Sequence, residues 1–355
     1  MTPAPQPPGP TTRTRRPTLD AVAARAGVGR GTVSRVINGS SHVSPQARAA
    51  VERAIAELAY VPNRAARSLV TRRTDSIALV IPESETRLFS EPYFSAIIRG
   101  VSAGLTDADM QLLLVLARDE HERNRLASYL TAQRVDGALM VAVHRDDTLP
   151  DLLTERGIPT VLAGRRTPDE PLPHVHADNE GGAHAAVQHL IDQGRRTIAT
   201  ITGPLDMEAA QARLTGYRTA LHHAGITVDE HLIAHGDFTE QRGQTAMHEL
   251  LNRRPHLDAV FAASDVTATG AILALRTTGH HIPHDIAIIG FDDSTIARHT
   301  DPPLTTIRQP TQHMGHTMAT LLLHHINQTH TTTPNHTTPN HHVTLPTQLI
   351  IRHTT

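Results

Sequence analysis

Residues 27–39 read GVGRGTVSRVING, and this stretch decides the fold of the N-terminal region. Upstream of it, Leu19, Val22 and Ala23 are apolar at helical spacing, and inside it Val33 and Val36 continue that spacing. The pattern predicts a helix that stops at a glycine turn, followed by a second helix with small and polar residues at its exposed start. Two helices joined in this way are typical of a helix-turn-helix motif.

The second helix carries the residues that would meet DNA. Arg30 and Arg35 lie five positions apart, so they address different parts of a binding site. A planar guanidinium suits phosphate oxygens and guanine edges in the major groove. The local alternative is a short amphipathic helix with two solvated arginines. We predict helices over Leu19–Ala26, with Thr18 as N-cap, over about Arg30–Asn38, and from Ser44-Pro45 to about Leu58.

Charge divides the chain into a basic head and an acidic body. Of the 355 residues, 1–75 contain twelve arginines and four acidic residues, whereas the remainder contains 21 arginines and 31 acidic residues. This asymmetry predicts a polyanionic partner for the head alone. The chain has no cysteine and no run of about 18 apolar residues. These absences exclude disulfides, a thiol nucleophile and a membrane span, and we expect a cytoplasmic protein.

From Asp75 onward, short apolar runs alternate with amphipathic stretches of 10–18 residues. The predicted strands are Ile77–Ile81, Gln111–Leu116, Gly137–Val143, Thr160–Ala163, His174–Ala177, Thr197–Thr202, Ala259–Ala262 and Ile286–Gly290. The predicted helices between them include Phe94–Leu105, Glu122–Thr131, Gly181–Gln193, Gln211–Ala224, Arg242–Asn252 and Val266–Thr277. This alternation predicts parallel sheets covered on both faces, in two lobes with a ligand cleft between them.

Several motifs resemble the LacI/GalR family of transcriptional regulators. They include PTLDAVAARAGVGRGTVSRVINGSSHVS, YVPNRAARSL, EPYFSAIIRGV, ADNEGGAHAAVQHLIDQGRRTIATITGP, FAASDVTATGAILALR and DIAIIGFDDS. The resemblance covers nearly everything from Pro17 to Arg352. It implies an all-α helix-turn-helix DNA-binding domain followed by a two-lobed α/β core like that of periplasmic binding proteins.

The resemblance also implies a domain order. We expect a disordered arm at 1–17, the DNA-binding domain at 18–61 and a hinge helix with linker at 62–74. The core would span 75–355, with one lobe from 75–178 plus 307–327 and the other from 179–306 plus 343–353. A low-complexity loop would occupy 328–342.

The implied DNA-binding residues lie in the head and the hinge. They are Thr18, Gly29, Arg30, Gly31, Thr32, Ser34, Arg35, Asn38, Asn63, Ala66 and Leu69. In the family, hinge helices from two subunits enter the minor groove, so Leu69 is predicted to wedge into the central base step of an inverted-repeat operator. This sequence departs from the family pattern at Gly29, usually Ser or Thr, and at Gly31, where a side chain often contacts a base. Base choice is therefore expected to depend on Arg30 and Arg35.

The implied effector-binding residues are Tyr93, Phe94, Arg213, Phe238, Asp265 and Asp292. A guanidinium, a carboxylate and flat aromatic faces suit a sugar or another small polar ring. Structural alternatives remain open: Phe94 as a core residue, Asp265 at a helix N-terminus and Arg213 in a structural ion pair. The chain has no tryptophan, which disfavours a large oligosaccharide.

The resemblance favours a homodimeric repressor whose effector disfavours hinge ordering and releases DNA, although a corepressor acting with the opposite sign remains open. The runner-up function is a solute-binding protein without gene regulation. We expect no enzyme activity, because the chain lacks a GxSxG elbow, a phosphate loop and a dinucleotide fingerprint. The 26 histidines occur without a metal-binding motif, so we expect no cofactor and no specific metal site.

Overall fold

The computed structural model of this protein describes residues 17–37, 39–40, 42–61, 73–132, 134–329 and 341–355. These residues divide between two compact units, 1–74 and 75–355, which we call the head and the core. Among the described residues, no helix combines the length and apolar composition needed to cross a membrane.

Among its described residues, the head contains three helices: α1 (Leu19–Ala26), α2 (Arg30–Ile37) and α3 (Pro45–Leu58). Their ends follow local chemistry. Thr18 Oγ1 accepts a hydrogen bond from Ala21 N, and Ser44 Oγ accepts one from Ala47 N. Gly27 ends α1 with a φ of 67°, a left-handed conformation that glycine adopts without a steric penalty. The predicted bounds of all three helices agree with the structure to within a residue.

A small apolar cluster holds the three helices together. Its buried members are Val22, Ala23, Val33, Val36, Val51, Ala54 and Tyr60. Since these residues recur at helical spacing in each helix, one face of every helix turns inward. The start of α2 and its polar residues therefore remain at the surface of the head.

The described residues of the core form two six-stranded sheets. The strands are β1 (Ser76–Ile81), β2 (Gln111–Leu116), β3 (Gly137–Met140), β4 (Thr160–Ala163), β5 (His174–Ala177), β6 (Ile198–Ile201), β7 (Ile233–Ala234), β8 (Ala259–Ala262), β9 (Ala287–Asp292), β10 (Thr305–Arg308), β11 (His342–Leu345) and β12 (Gln348–Ile350). The first sheet has the order β11-β5-β4-β3-β1-β2 and the second the order β12-β10-β9-β8-β6-β7. All neighbours pair in parallel except β10 and β12.

Helices cover both faces of each sheet. They are α4 (Glu85–Ser90), α5 (Pro92–Thr106), α6 (Glu120–Thr131), α7 (Leu149–Glu155), α8 (Asn179–Asp192), α9 (Glu208–His223), α10 (Glu240–Arg253), α11 (Asp265–Thr277), α12 (Thr295–His299) and α13 (Thr311–Thr329). Alternate residues of β1 point into separate apolar clusters: Ile77 and Leu79 into one, Ala78 and Val80 into the other. This arrangement confirms the predicted doubly covered parallel sheets.

The chain passes between the sheets three times, after β5, after β10 and after β11. The strand assignments differ from the predicted lobes at two places. Ile307 and Arg308 fall in the predicted first lobe, but as part of β10 they pair with β9 in the second sheet. Residues 343–353 were predicted to belong wholly to the second lobe, but β11 pairs with β5 in the first sheet and only β12 joins the second. The hydrogen bond from Asp178 N to Leu345 O extends the β5–β11 pairing, so the final segment of the chain contributes a strand to each lobe.

Some predictions fall partly or wholly outside the described residues. The arm at 1–16, Asn38, the hinge residues Asn63, Ala66 and Leu69, and residues 330–340 of the low-complexity segment belong to this group. At the borders of that last segment, α13 continues to Thr329 and β11 begins at His342.

Candidate effector cleft and DNA-reading helix

A cavity of about 850 Å³, counting the part open to solvent, lies between the two lobes of the core. Its wall comes from both lobes, because the loops after the parallel strands and the starts of the following helices converge there. Five of the six predicted effector residues line it: Tyr93, Phe94, Arg213, Phe238 and Asp292. Side chains that follow the carboxyl ends of parallel strands are expected to meet in this way.

Arg213, on α9, is fixed in the cavity wall by hydrogen bonds, a nearby carboxylate and an aromatic ring. Its Nε donates to Asn179 Oδ1 at 2.9 Å, and its Nη1 donates to Ala263 O and lies 3.9 Å from Asp292 Oδ1. The guanidinium carbon sits 3.7 Å from the centroid of the Phe291 ring. Burial lowers the pKa of Arg213, and Asp292 opposes that shift by favouring the charged form. The guanidinium is thus fixed before any ligand arrives.

Asp292 ends β9 with a φ of 121°, a conformation that side-chain-bearing residues rarely adopt. Gln309 Nε2 donates to its Oδ1 at 2.6 Å. Burial raises the pKa of Asp292, while the charge of Arg213 acts in the opposite direction. A carboxylate held in this way accepts hydrogen bonds from ligand hydroxyl groups.

Phe238 supplies an aromatic face in the same wall. It follows β7 with a φ of 69°, and its ring lies directly over Gly203. A Cβ added at Gly203 would come within 2.1 Å of Phe238 Cζ, so only glycine leaves room for this ring position. Tyr93 and Phe94, at the start of α5, pack edge to face with their centroids 5.4 Å apart. Phe94 is buried in the apolar cluster and also reaches the cavity, so its core and ligand interpretations coexist.

Asp265 is the predicted effector residue that the structure does not place in the cavity wall. It is fully buried at the start of α11, where its Oδ1 accepts from Thr306 Oγ1 at 2.5 Å and its Oδ2 accepts from Ser294 N at 2.7 Å. Its neighbours Ser264 and Val266 line the cavity instead. The expected direct contact is therefore corrected to a supporting role, in which Asp265 ties β10 and the segment after β9 to α11. Ser264, rather than Asp265, caps this helix.

The structure adds polar wall residues that the sequence did not single out. They are Arg87, Glu91, Arg165, His176, Asn179, Glu208 and Gln309. Arg87 Nε donates to Glu91 Oε1 at 2.7 Å, and its Nη2 donates across the cleft to Asp237 O at 3.1 Å. Burial raises the pKa of Glu91 to about 7, and Arg87 opposes this shift. Their positions relative to helices and strands were the available signal: Glu91 immediately precedes a helix, Glu208 begins one and Arg165 closely follows a strand.

Among the predicted DNA-binding residues that the structure describes, Thr18 caps α1 and the others lie on or next to α2. Thr32 N and Val33 N donate to Gly29 O, so Gly29 begins the helix without a side-chain cap. Arg30 lies 3.7 Å from Asp20 with its side chain 72% exposed, and Arg35 Nε donates to Gly31 O at 3.2 Å. Nothing lies within 4 Å of a Cβ placed at Gly29 or Gly31, which leaves the surface beside the helix open. Thr32 and Ser34 are half-buried.

Comparison with known proteins gives the same two-part organisation. A family model described as bacterial regulatory proteins, lacI family, matches residues 18–63, and one described as a periplasmic binding protein-like domain matches residues 187–355. The HTH-type transcriptional regulator CelR of Thermobifida fusca is 54% identical over 316 residues, which cover 88% of this chain and 93% of CelR. The ribose operon repressor of Escherichia coli (strain K12) is 36% identical over 313 residues, covering 88% of this chain and 93% of the repressor.

Solved structures agree with these relatives. A transcriptional regulator CelR–cellobiose complex superposes with a TM-score of 0.76 at 48% identity, covering 96% of this chain and 100% of that one. The lac repressor dimer bound to operator and the anti-inducer ONPF superposes with a TM-score of 0.81 at 28% identity, covering 96% and 99%. The helix-turn-helix head, the two-lobed core and these relatives lead to one conclusion: the chain belongs to the lacI family of DNA-binding transcriptional regulators.

Proposed function

We propose that this regulator is a homodimeric repressor that is released from its operator by a small neutral sugar, with cellobiose as the first compound to test. The observation that carries the effector class is the charge balance of the cavity. Three arginines, Arg87, Arg165 and Arg213, face three carboxylates, Glu91, Glu208 and Asp292. A wall of this composition offers both donors and acceptors without favouring an anion or a cation, which suits a polyhydroxylated ring.

The effector would use the groups that are already fixed. Arg213 and Asp292 would donate to and accept from ring hydroxyls, and the Phe238 ring would cover an apolar face of the sugar. Tyr93 and Phe94 would close the opposite side. The similar regulator CelR has been solved as a cellobiose complex, which makes this disaccharide the natural first compound. A disaccharide also agrees with the expectation, drawn from the absence of tryptophan, that a large oligosaccharide is disfavoured.

On the DNA side, Arg30 and Arg35 would read base edges of each half-site in the major groove. The other predicted residues of the head would face the DNA backbone or the major groove around these two arginines. They are Thr18, Gly29, Gly31, Thr32, Ser34 and Asn38. The hinge helices of the two subunits would enter the minor groove together through Asn63, Ala66 and Leu69. Leu69 would insert between two base pairs as the wedge. A ligand that prefers one lobe arrangement would shift the dimer away from the state that orders these hinges.

Two measurements test the proposal. The purified protein is first incubated with sheared genomic DNA, and the retained fragments are sequenced; enrichment of one inverted repeat is expected. Cellobiose is then added to the protein on that repeat, and release is expected at concentrations that match calorimetric binding. A phosphorylated sugar and an amino sugar serve as charged controls, which the balanced cavity should bind more weakly.

The outcomes separate the alternatives. Retention of bulk DNA that is lost on raising salt, with no shared motif, would support a solute-binding protein with an electrostatic patch. Tighter operator binding in the presence of cellobiose would reverse the sign and make the sugar a corepressor. Stronger binding of a charged analogue than of cellobiose would overturn the assigned effector class.

A further inference from the structure

A second polar group lines the cavity beside the predicted effector residues. Arg165 lies two residues after β4 in the first lobe, and Glu208 begins α9 in the second lobe. Arg165 Nη2 donates to Glu208 Oε1 at 2.6 Å, so this ion pair spans the cleft. The side chains are 28% and 8% exposed, and both belong to the cavity wall.

Arg165 carries a donor that the protein leaves unused. Its Nε is buried and has no hydrogen-bond partner among the residues described in the structure. Buried donors in folded proteins are almost always paired, and leaving one unpaired is unfavourable. An unpaired Nε on a cavity-lining arginine is therefore suited to an acceptor oxygen supplied by a ligand.

Contacts outside the cavity already connect the same parts of the two lobes. His144 Nδ1 lies 2.6 Å from Asp206 Oδ2, and Arg145 N donates to Asp206 O at 2.9 Å. The His144 and Asp206 side chains are 31% and 57% exposed and do not line the cavity. These contacts thus connect the two lobes without Arg165 and Glu208. Their position inside the cavity indicates a different task.

We infer that Arg165 and Glu208 determine specificity by recognising the second ring of a disaccharide effector. The inference rests on the proposed function, which places the first ring at Arg213, Asp292 and Phe238. Arg165 and Glu208 line the same cavity as those three residues, so a second ring joined to the first would lie within their reach. Arg165 would donate from Nε to a hydroxyl oxygen of the second ring, and Glu208 would accept from a neighbouring hydroxyl. A single-ring sugar would leave both groups without a ligand partner.

The test compares cellobiose with glucose on the full chain. Sugar-dependent shifts in thermal unfolding report both affinities, including weak binding of glucose at high concentration. Arg165→Lys keeps the positive charge and the link to Glu208 but removes the guanidinium Nε; Glu208→Gln keeps the shape and removes the charge. Each is expected to lower the ratio of cellobiose to glucose affinity at least about tenfold, as for the loss of a hydrogen bond to a charged group.

Asp206→Asn is the matched control, because it weakens the neighbouring contact between the lobes outside the cavity. It is expected to leave the affinity ratio within about twofold of the wild-type value. The unfolding midpoint without sugar shows whether each variant keeps its fold.

Equal losses for cellobiose and glucose in Arg165→Lys would mean that the pair only holds the lobes together and would overturn the inference. An unchanged ratio in both cavity variants would overturn it as well. Failure of the wild-type protein to bind cellobiose would have a different meaning: it would overturn the proposed effector and, with it, the assignment of a second ring.

Discussion

Arginine is the chemically important residue in both units, but the two units hold it in opposite ways. In the head, the Arg30 side chain is 72% exposed and its charged neighbour Asp20 is 3.7 Å away. Among the described residues, the hydrogen-bond acceptor of Arg35 is a carbonyl of its own helix, Gly31 O, at 3.2 Å. In the core, the Arg213 side chain is 7% exposed and is fixed by Asn179, Ala263 O and Asp292.

The difference reflects what each unit binds. DNA brings a dense array of phosphates and base edges, so an exposed, loosely held arginine gains most of its partners on binding. A small sugar brings few polar groups, and its affinity depends on groups that are ordered in advance. The core site is therefore preorganised, whereas the reading helix is expected to complete its contacts on the operator.

The largest effect is expected when the contacts that fix Arg213 in the core are removed, which tests directly whether a preorganised arginine is needed there. Arg213→Lys keeps the charge but loses the fork that joins Asn179 and Ala263 O and the stacking on Phe291. We expect effector affinity to fall at least about 100-fold, or nearly 3 kcal/mol, in calorimetric titration. The free energy of unfolding of the core should also fall, by about 1–3 kcal/mol.

Arg218→Lys provides the matched control on the same helix, α9. Its side chain is 44% exposed and pairs with Glu230 at 2.9 Å, so the substitution should change unfolding and effector binding little. If Arg213→Lys behaved like Arg218→Lys, the fixed guanidinium would have no role in the site.

In the head, Arg35→Ala should reduce specific operator binding by about 1–3 kcal/mol and relax base preference at one position of each half-site. The reason is that a base-reading arginine contributes to specific binding, whereas phosphate contacts act on all sequences alike. Selection of random half-sites by the variant and the wild type measures both effects. An equal loss on random DNA would reduce Arg35 to a phosphate contact.

Much of this fold could be predicted because its signals are local. Helix caps such as Thr18 and Ser44 and the apolar runs of β1 and β4 depend on neighbouring residues in the chain. Strand β10, with the sequence TTIR, was missed because two of its three buried positions are threonines, whose hydroxyl groups bond to residues distant in the sequence. Thr306 Oγ1, for example, donates to Asp265 across 41 residues of sequence.

Prediction of the site from the sequence also failed where a residue's position depends on distant parts of the chain. Tyr93, Arg213 and Asp292 line the cavity as the family resemblance implied, but the resemblance could not tell a wall residue from the residue behind it. Asp265 and its neighbour Ser264 differ by one position, and only tertiary packing decides which of them faces the ligand. Arg165 and Glu208 were not singled out because they lie 43 positions apart in the sequence and in different lobes, and only the fold brings them together.

Ligand binding by the core and DNA binding by the head should depend differently on pH. Burial raises the pKa of Glu91 to about 7, so this carboxyl group changes charge near neutrality. Protonation weakens its hold on Arg87, which also donates across the cleft to Asp237 O. Effector affinity should therefore be highest above pH 7 and fall as the pH drops from 8 to 6. Protonation of Asp292, whose pKa burial raises to about 6, adds to this loss at the acidic end of the range.

Titrations of the sugar across this range check the direction. Glu91→Gln should remove the part of the decrease that is centred near pH 7 and leave the part near pH 6 that Asp292 contributes. Arginine keeps its charge throughout, so contacts of Arg30 and Arg35 with DNA should not follow this profile. Affinity that rises on acidification would contradict the assigned role of ionised Glu91.

The smallest expected effect tests how loosely the head holds its arginine. Asp20→Ala removes the carboxylate beside Arg30, but both side chains are at least 70% exposed and the ion pair measures 3.7 Å. Exposed pairs of this kind contribute less than about 1 kcal/mol, so the unfolding midpoint of the protein should barely change. Operator affinity should rise slightly, because Arg30 no longer has to leave a charged neighbour and one negative charge is removed near the phosphates. A marked loss of stability or of operator binding would show that Arg30 is held in advance by Asp20, and the contrast with Arg213 would then disappear.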